Sequence, residues 1–175
     1  MPPQVVFVGP PGAGKTTVGS VVAAILEVDF RDTDADVEAG AGGTISDIFV
    51  DEGESGFRTR EIAAVSTAVA QHEGVLSVGG GAVESPQVRR TLAGLPVVWL
   101  TVGATEAGKR VGIHGPRPAQ FGNIRAQWNE MMNRRAPLYD EVARWSVETD
   151  GRSPDQVAEA VVALLRGTKE QVAGS

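Results

Sequence analysis

The chain has 175 residues, 42% hydrophobic and 22% charged, which suits one soluble domain with a substantial core. It has no cysteine, so disulfides and thiolate metal sites are excluded and a reducing cytoplasm is the expected location. The net charge of −6 argues against a nucleic-acid partner, and no run nears the roughly 20 apolar residues that a bilayer crossing needs.

Val5–Val8 predicts a buried strand, short and without the basic flank of a signal peptide. It runs into Gly9-Pro10-Pro11-Gly12-Ala13-Gly14-Lys15-Thr16-Thr17. The spacing G-x-x-x-x-G-K-T is that of a P-loop, whose backbone N–H groups wrap nucleotide phosphates. Lys15 is placed to reach the β- and γ-phosphates, and the Thr16 hydroxyl to hold Mg²⁺. A helix over 16–26 would turn its positive N-terminal end to the same anion. An acidic chain that binds anions must concentrate cations locally. Its basic residues are 13 Arg and only three Lys (Lys15, Lys109, Lys169), and Arg suits bidentate recognition of carboxylate and phosphate.

Val28–Arg31 predicts a short second strand that ends at Asp32-Thr33-Asp34. In extended chain the two carboxylates share a side. Either they form a solvated turn that caps the next helix, or one serves a metal and the other an acceptor hydroxyl. Thr44–Val50 and Gly56–His72 read as helices. Early in the second, Arg58 and Glu61 are three apart: a surface ion pair, or an arginine braced for an anionic substrate. Val75–Val78 predicts a third strand that opens into Gly79-Gly80-Gly81, which is either a tight bend or a backbone that must approach a ligand.

Ser85-Pro86 opens a helix to Leu92, Val97–Val102 is a strand and Thr105–Val111 a helix. Ile113–Asn123, rich in Gly and Pro, reads as a loop where a mobile lid carrying Arg117 would fit. Ile124–Ala136 is helical and ends in Arg134-Arg135, Trp145–Glu148 is a strand, and Ser153-Pro154 caps a last helix to about Arg166. Residues 167–175 read as a flexible tail, so 1–166 forms the single domain. His72 and His114 read as solvated and the three tryptophans as core or near-core. Strands apolar on both faces, alternating with helices, predict a parallel sheet with ligands at its carboxyl edge. The P-loop, Asp-Thr-Asp and Gly-Gly-Gly all fall on that edge.

In that order and approximate spacing, these segments, with Phe57-Arg58-x-x-Glu61, Arg117-Pro118 and Arg135-Ala136-Pro137-Leu138-Tyr139, resemble the shikimate kinase family from about residue 4 to 165. The resemblance implies a five-stranded parallel sheet of the nucleoside-monophosphate-kinase type, with a substrate-binding region over about 33–62 and a lid over about 112–124. It implies transfer from Mg·ATP to the 3-hydroxyl of shikimate, a cytoplasmic step toward aromatic amino acids. Gly12, Ala13, Gly14, Lys15, Thr16 and Thr17 would cradle the phosphates, and Thr16 with Asp32 would hold Mg²⁺. Asp34 would grip shikimate and orient or deprotonate its hydroxyl. Arg58 and Arg135 would take its carboxylate, beside Glu61, Gly79, Gly80 and Gly81. Arg117 would move onto the β/γ-phosphates, with Arg110, Arg152 and Pro154 flanking adenine.

Two positions depart from the family pattern. Ala119-Gln120 replaces two leucines after Arg117-Pro118, which bears on lid packing, and Gly56 stands where a larger residue is usual and is expected to loosen its helix. Another small-molecule kinase, such as a gluconate or nucleotide kinase, or a non-catalytic nucleotide-binding regulator is the alternative. A GTPase is disfavoured, because no Asn-Lys-x-Asp occurs. A monomer without membrane partner is expected.

Overall fold

Five strands, Val5–Val8 (β1), Phe30–Asp32 (β2), Val75–Ser77 (β3), Val97–Thr101 (β4) and Trp145–Glu148 (β5), form one sheet in the order β2-β3-β1-β4-β5. All pairings are parallel, with Val5 opposite Val75 and Val6 opposite Val97. The computed structural model describes residues 1–111 and 118–173, with side chains at 1–111 and 124–168. Arg117, His114 and most of the expected lid therefore lie outside the described residues.

The alternation of β1 explains the layering. Val5 and Phe7 enter one core with helices Lys15–Leu26 (α1) and Pro154–Ala173 (α7), whereas Val6 and Val8 enter the other. That second core is closed by helices Ile45–Gln71 (α3), Pro86–Leu92 (α4) and Pro118–Val142 (α6), and Tyr139 is fully buried in it. Helices Thr33–Ala41 (α2) and Ala104–Arg110 (α5) complete the chain. Val37 of α2 packs with Ile48 and Phe57 of α3 in a small third cluster.

Several boundaries differ from the sequence expectation. α2, too poor in apolar residues to show a helical period, forms because the Asp32 carboxylate accepts the Asp34 N–H at 2.9 Å and caps it. The two helices expected over 44–72 are both present within α3 and meet at a kink at Gly53, whose φ of 72° and ψ of −179° are not helical. Arg60 clasps Glu52 across the kink at 2.7–3.2 Å. A Cβ at 56 would stand 2.5 Å from that of Glu52, so the close approach below the kink favours glycine.

α6 begins at Pro118 inside the expected loop, since proline suits a first helical position. It also passes Pro137, where a stop was expected. Pro137 forfeits one backbone bond, and the helix continues to bury Tyr139 two residues on. α7 continues to Ala173 past the expected end, with the Thr168 hydroxyl donating to Leu164 O at 3.1 Å and no proline to stop it. His72 is half-buried, its Nε2 donating to Val75 O at 3.0 Å. Among the described residues no helix is long and apolar enough to cross a membrane.

Candidate active site

The P-loop joins β1 to α1 at the carboxyl edge of the sheet. Gly12 (φ 80°) and Gly14 (φ 89°) occupy left-handed conformations that side chains disfavour, and these aim the loop N–H groups inward. Gly12, Ala13, Gly14, Lys15, Thr16 and Thr17 line a cavity of about 490 Å³, together with Arg110, Arg152 and Pro154. Lys15 Nζ donates back to Gly9 O at 2.8 Å and Pro10 O at 3.2 Å. Withdrawal from water pushes its ammonium down to about 8, against the pull of Asp34 and Asp32.

The Thr16 hydroxyl donates to Asp32 Oδ2 at 2.8 Å while Asp32 Oδ1 caps α2. The cap reading for Asp32 thus holds, and the same carboxylate also faces the P-loop through Thr16. Asp34, in the first turn of α2, is half-buried. Desolvation pushes its carboxyl above the usual carboxylate range, Asp32 adds to this, and Lys15 opposes it. Thr33, fully buried, accepts the Gly79 N–H at 3.2 Å and ties β2 to the glycines.

The three glycines are explained by what reaches over them. A Cβ on Gly79 would meet Asp34 Oδ1 at 2.5 Å and Glu61 Oε1 at 2.8 Å. One on Gly81 would meet Arg58 Nη1 and Nη2 at 2.6 Å and Arg135 Nη2 at 2.9 Å. Gly80 lies against Gly9 O and Pro11, and its own carbonyl accepts the Tyr139 hydroxyl at 2.6 Å. Burial pushes that hydroxyl up to about 12, so it stays a donor. The glycines thus make room for the chain's own atoms and are more than a simple bend.

Arg58 donates to Glu61 Oε2 at 2.7 Å, and Glu61, 2% exposed, has its pKa raised by burial against the pull of Arg58. The pair is therefore a buried brace, not a surface ion pair. Arg135 comes from α6, and its Nε is buried without a partner among the described residues. Two guanidiniums thus converge beside Asp34, one with an unused N–H. Such an arrangement can take a carboxylate bidentately.

On the far side of the P-loop, Arg110 donates to Gly12 O at 3.2 Å and to Thr149 Oγ1 and O at 3.0 Å. Thr149 in turn donates to Thr101 O at 2.8 Å, which fixes the arginine to the ends of β4 and β5. Arg152 and Pro154 are exposed at that rim. A larger, apolar cavity of about 640 Å³ opens between α5 and α6, lined in part by Trp128, and shares only Pro11 with the loop.

Sequence reasoning missed Thr33, Thr149 and the Tyr139 hydroxyl as supports, and missed Glu84, which contacts Arg58, Arg134 and Arg135. Of these, Tyr139 carried a signal as the last residue of the quoted Arg135–Tyr139 segment, and Thr33 as the middle of Asp32-Thr33-Asp34.

A parallel sheet with a P-loop on its central strand and two arginines converging beside it defines a small-molecule phosphotransferase of the nucleoside-monophosphate-kinase type. The shikimate kinase family profile matches residues 11–166. The shikimate kinase of Streptomyces avermitilis is 52% identical over 163 residues, 93% of this chain and 95% of that one. That of Salinispora arenicola is 51% identical over 165 residues, 94% and 99% of the two chains. Among solved structures, the shikimate kinase of Acinetobacter baumannii in complex with shikimate superposes with a TM-score of 0.88 at 35% identity, covering 97% of this chain and 95% of that one. The chain belongs to the shikimate kinase family and is an ATP-dependent kinase.

Proposed function

We propose that the chain transfers the γ-phosphoryl group of Mg·ATP to the 3-hydroxyl of shikimate with the residues gathered above. The observation that carries this reading is the meeting of Arg58 and Arg135 over Gly81, next to Asp34 and one strand from the P-loop. Arg58, held by Glu61, and Arg135 take the shikimate carboxylate in charge-assisted bonds. That contact turns the ring so that its hydroxyls face Asp34, with Gly79, Gly80 and Gly81 forming the backbone wall. Asp34 accepts the 3-hydroxyl proton as the oxygen forms its bond to phosphorus. The bond from phosphorus to the ADP oxygen breaks, and that oxygen leaves with its electron pair. The raised pKa suits Asp34 to take and return a proton, and transfer needs positioning more than covalent chemistry.

Lys15 gives up its contacts with Gly9 and Pro10 and spans the β- and γ-phosphates, while Gly12, Ala13, Gly14, Thr16 and Thr17 enclose them. Thr16 and Asp32, already in contact, suit Mg²⁺, which supplies charge neutralisation across the phosphates when bound. One hydroxyl and one carboxylate leave room for phosphate oxygens and waters, as that ion requires. Arg110 and Arg152 with Pro154 flank the adenine. Arg117 is assigned to the β/γ-phosphates from its sequence position, within a lid over 112–124. The substrate-binding region is 33–62. The enzyme acts as a cytoplasmic monomer, without nucleic-acid or membrane partner.

The test is ADP release from Mg·ATP with shikimate, gluconate and nucleoside monophosphates offered separately. Turnover with shikimate alone is expected. Turnover with another acceptor, or ATP binding without turnover, would overturn the assignment.

A further inference from the structure

Glu84 lies in the 3₁₀ turn Ala82–Glu84 that follows the glycines, and it faces three cations. Its Oε1 is 2.7 Å from Arg134 Nε, and its Oε2 is 3.5 Å from Arg58 Nη2 and 3.4 Å from Arg135 Nη2. Among the described residues it is the only carboxylate in ion-pair reach of both Arg58 and Arg135. Burial alone would raise its pKa, but the Arg134 hydrogen bond and the Arg135 charge hold it below the usual range, so it is ionised at neutral pH.

The turn beneath it is fixed. Glu84 N–H donates to Gly81 O at 3.1 Å, and Arg89 Nη1 donates to Val83 O at 2.7 Å and Glu84 O at 3.3 Å.

We propose that Glu84 is a positioning residue for the acceptor: it holds Arg58 of α3 and Arg135 of α6 on one oxygen and sets the spacing of the two guanidiniums that receive the carboxylate. This rests on the acceptor reading above. Two like charges that converge over one glycine repel, and a shared anion lets them stay close. The tight bond from Arg134 anchors the anion from the solvent side, where Arg134 is 56% exposed. The longer contacts to Arg58 and Arg135 leave their remaining N–H groups free for a substrate. A carboxylate here also arranges the site before shikimate arrives, which lowers the cost of ordering two long side chains on binding.

The experiment compares wild type, Glu84→Gln, Arg134→Gln and the double variant in a coupled ADP-release assay, with melting temperature alongside. Glu84→Gln keeps the shape and removes the charge. It should raise KM for shikimate by about tenfold, the scale of one charge-assisted contact, with kcat and KM for ATP within about twofold. Arg134→Gln should act in the same direction by about threefold, and the double variant should be no worse than Glu84→Gln alone, because the two residues act as one unit. Unchanged shikimate KM would overturn the role. So would a fall in that KM, which would make Glu84 a competitor of the substrate carboxylate. A joint rise in both KM values with a lower melting temperature would reduce it to a structural staple. If wild type itself does not phosphorylate shikimate, the acceptor reading fails and this one with it; wild-type turnover with any of the other outcomes sinks only the role of Glu84.

Discussion

The phosphate end and the acceptor end of the site are built on different principles. At the proposed phosphate end one contiguous segment, Gly9 to Thr17, supplies most of the groups, with Gly12 and Gly14 in left-handed conformations. At the acceptor end the groups come from α2, α3, the glycine turn and α6, and they are long charged side chains steadied by one another. Glycine serves both ends for opposite reasons. In the loop it supplies a conformation; beyond β3 it supplies space for guanidiniums and carboxylates. A backbone cradle needs little support, whereas a side-chain fork needs a carboxylate behind every arginine.

The difference can be broken from either end, most severely at the loop. Lys15→Met should lower kcat by about 10³-fold or more with the fold retained, since it removes charge where the transition state gathers it. Near-normal turnover would remove Lys15 from the mechanism. Asp34→Asn should lower kcat by roughly 10²–10⁴-fold if it is the base, and a change in KM alone would make it only a binder.

The same variant carries a stability signature. With a folded-state pKa above the unfolded one, the contribution of Asp34 is fully present at acid pH and is lost as pH rises through the folded pKa. Asp34→Asn should therefore melt above wild type at pH 7, and calorimetry should show the gap closing as pH falls.

Arg58→Ala should raise KM for shikimate by about 10²-fold and leave ATP nearly untouched. It should also cost about 3 kcal/mol of stability, because it strands buried Glu61. Equal weakening of both substrates would erase the division between the two ends. The smallest and sharpest test is Gly81→Ala. The added methyl meets only the tips of Arg58 and Arg135, which can swing away, so stability should change by less than about 1 kcal/mol. Shikimate KM should still rise by about tenfold, as one charge-assisted contact is lost from the fork. A large drop in melting temperature would show that the glycine serves the backbone instead.

How far each end can be read from sequence follows from the same contrast. The P-loop is contiguous, so its spacing alone carries the motif, and β1, β3 and β4 announce themselves as apolar runs between turn residues. Asp32, Asp34, Arg58, Glu61 and Arg135 could be picked out, but only as an ordered set, since each alone has an ordinary reading as cap or ion pair. α2 escaped notice because its stability comes from a cap and a small cluster rather than from periodicity. The passage of α6 through Pro137 depends on the burial of Tyr139, a tertiary term that local rules cannot weigh. Glu84 sits beside the glycines in sequence, yet its three partners lie on α3 and α6, so nothing local distinguishes it.

The ammonium of Lys15, bonded to its own loop and held near 8, makes the empty enzyme a proton acceptor in waiting. If Lys15 meets the triphosphate as proposed, the phosphate charge raises its pKa again, and binding at alkaline pH draws protons from the buffer. Nucleotide association near that pH is therefore a coupled uptake of hydrogen ions. Its measured heat will vary with the ionisation enthalpy of the buffer, and its affinity will weaken as the medium turns alkaline.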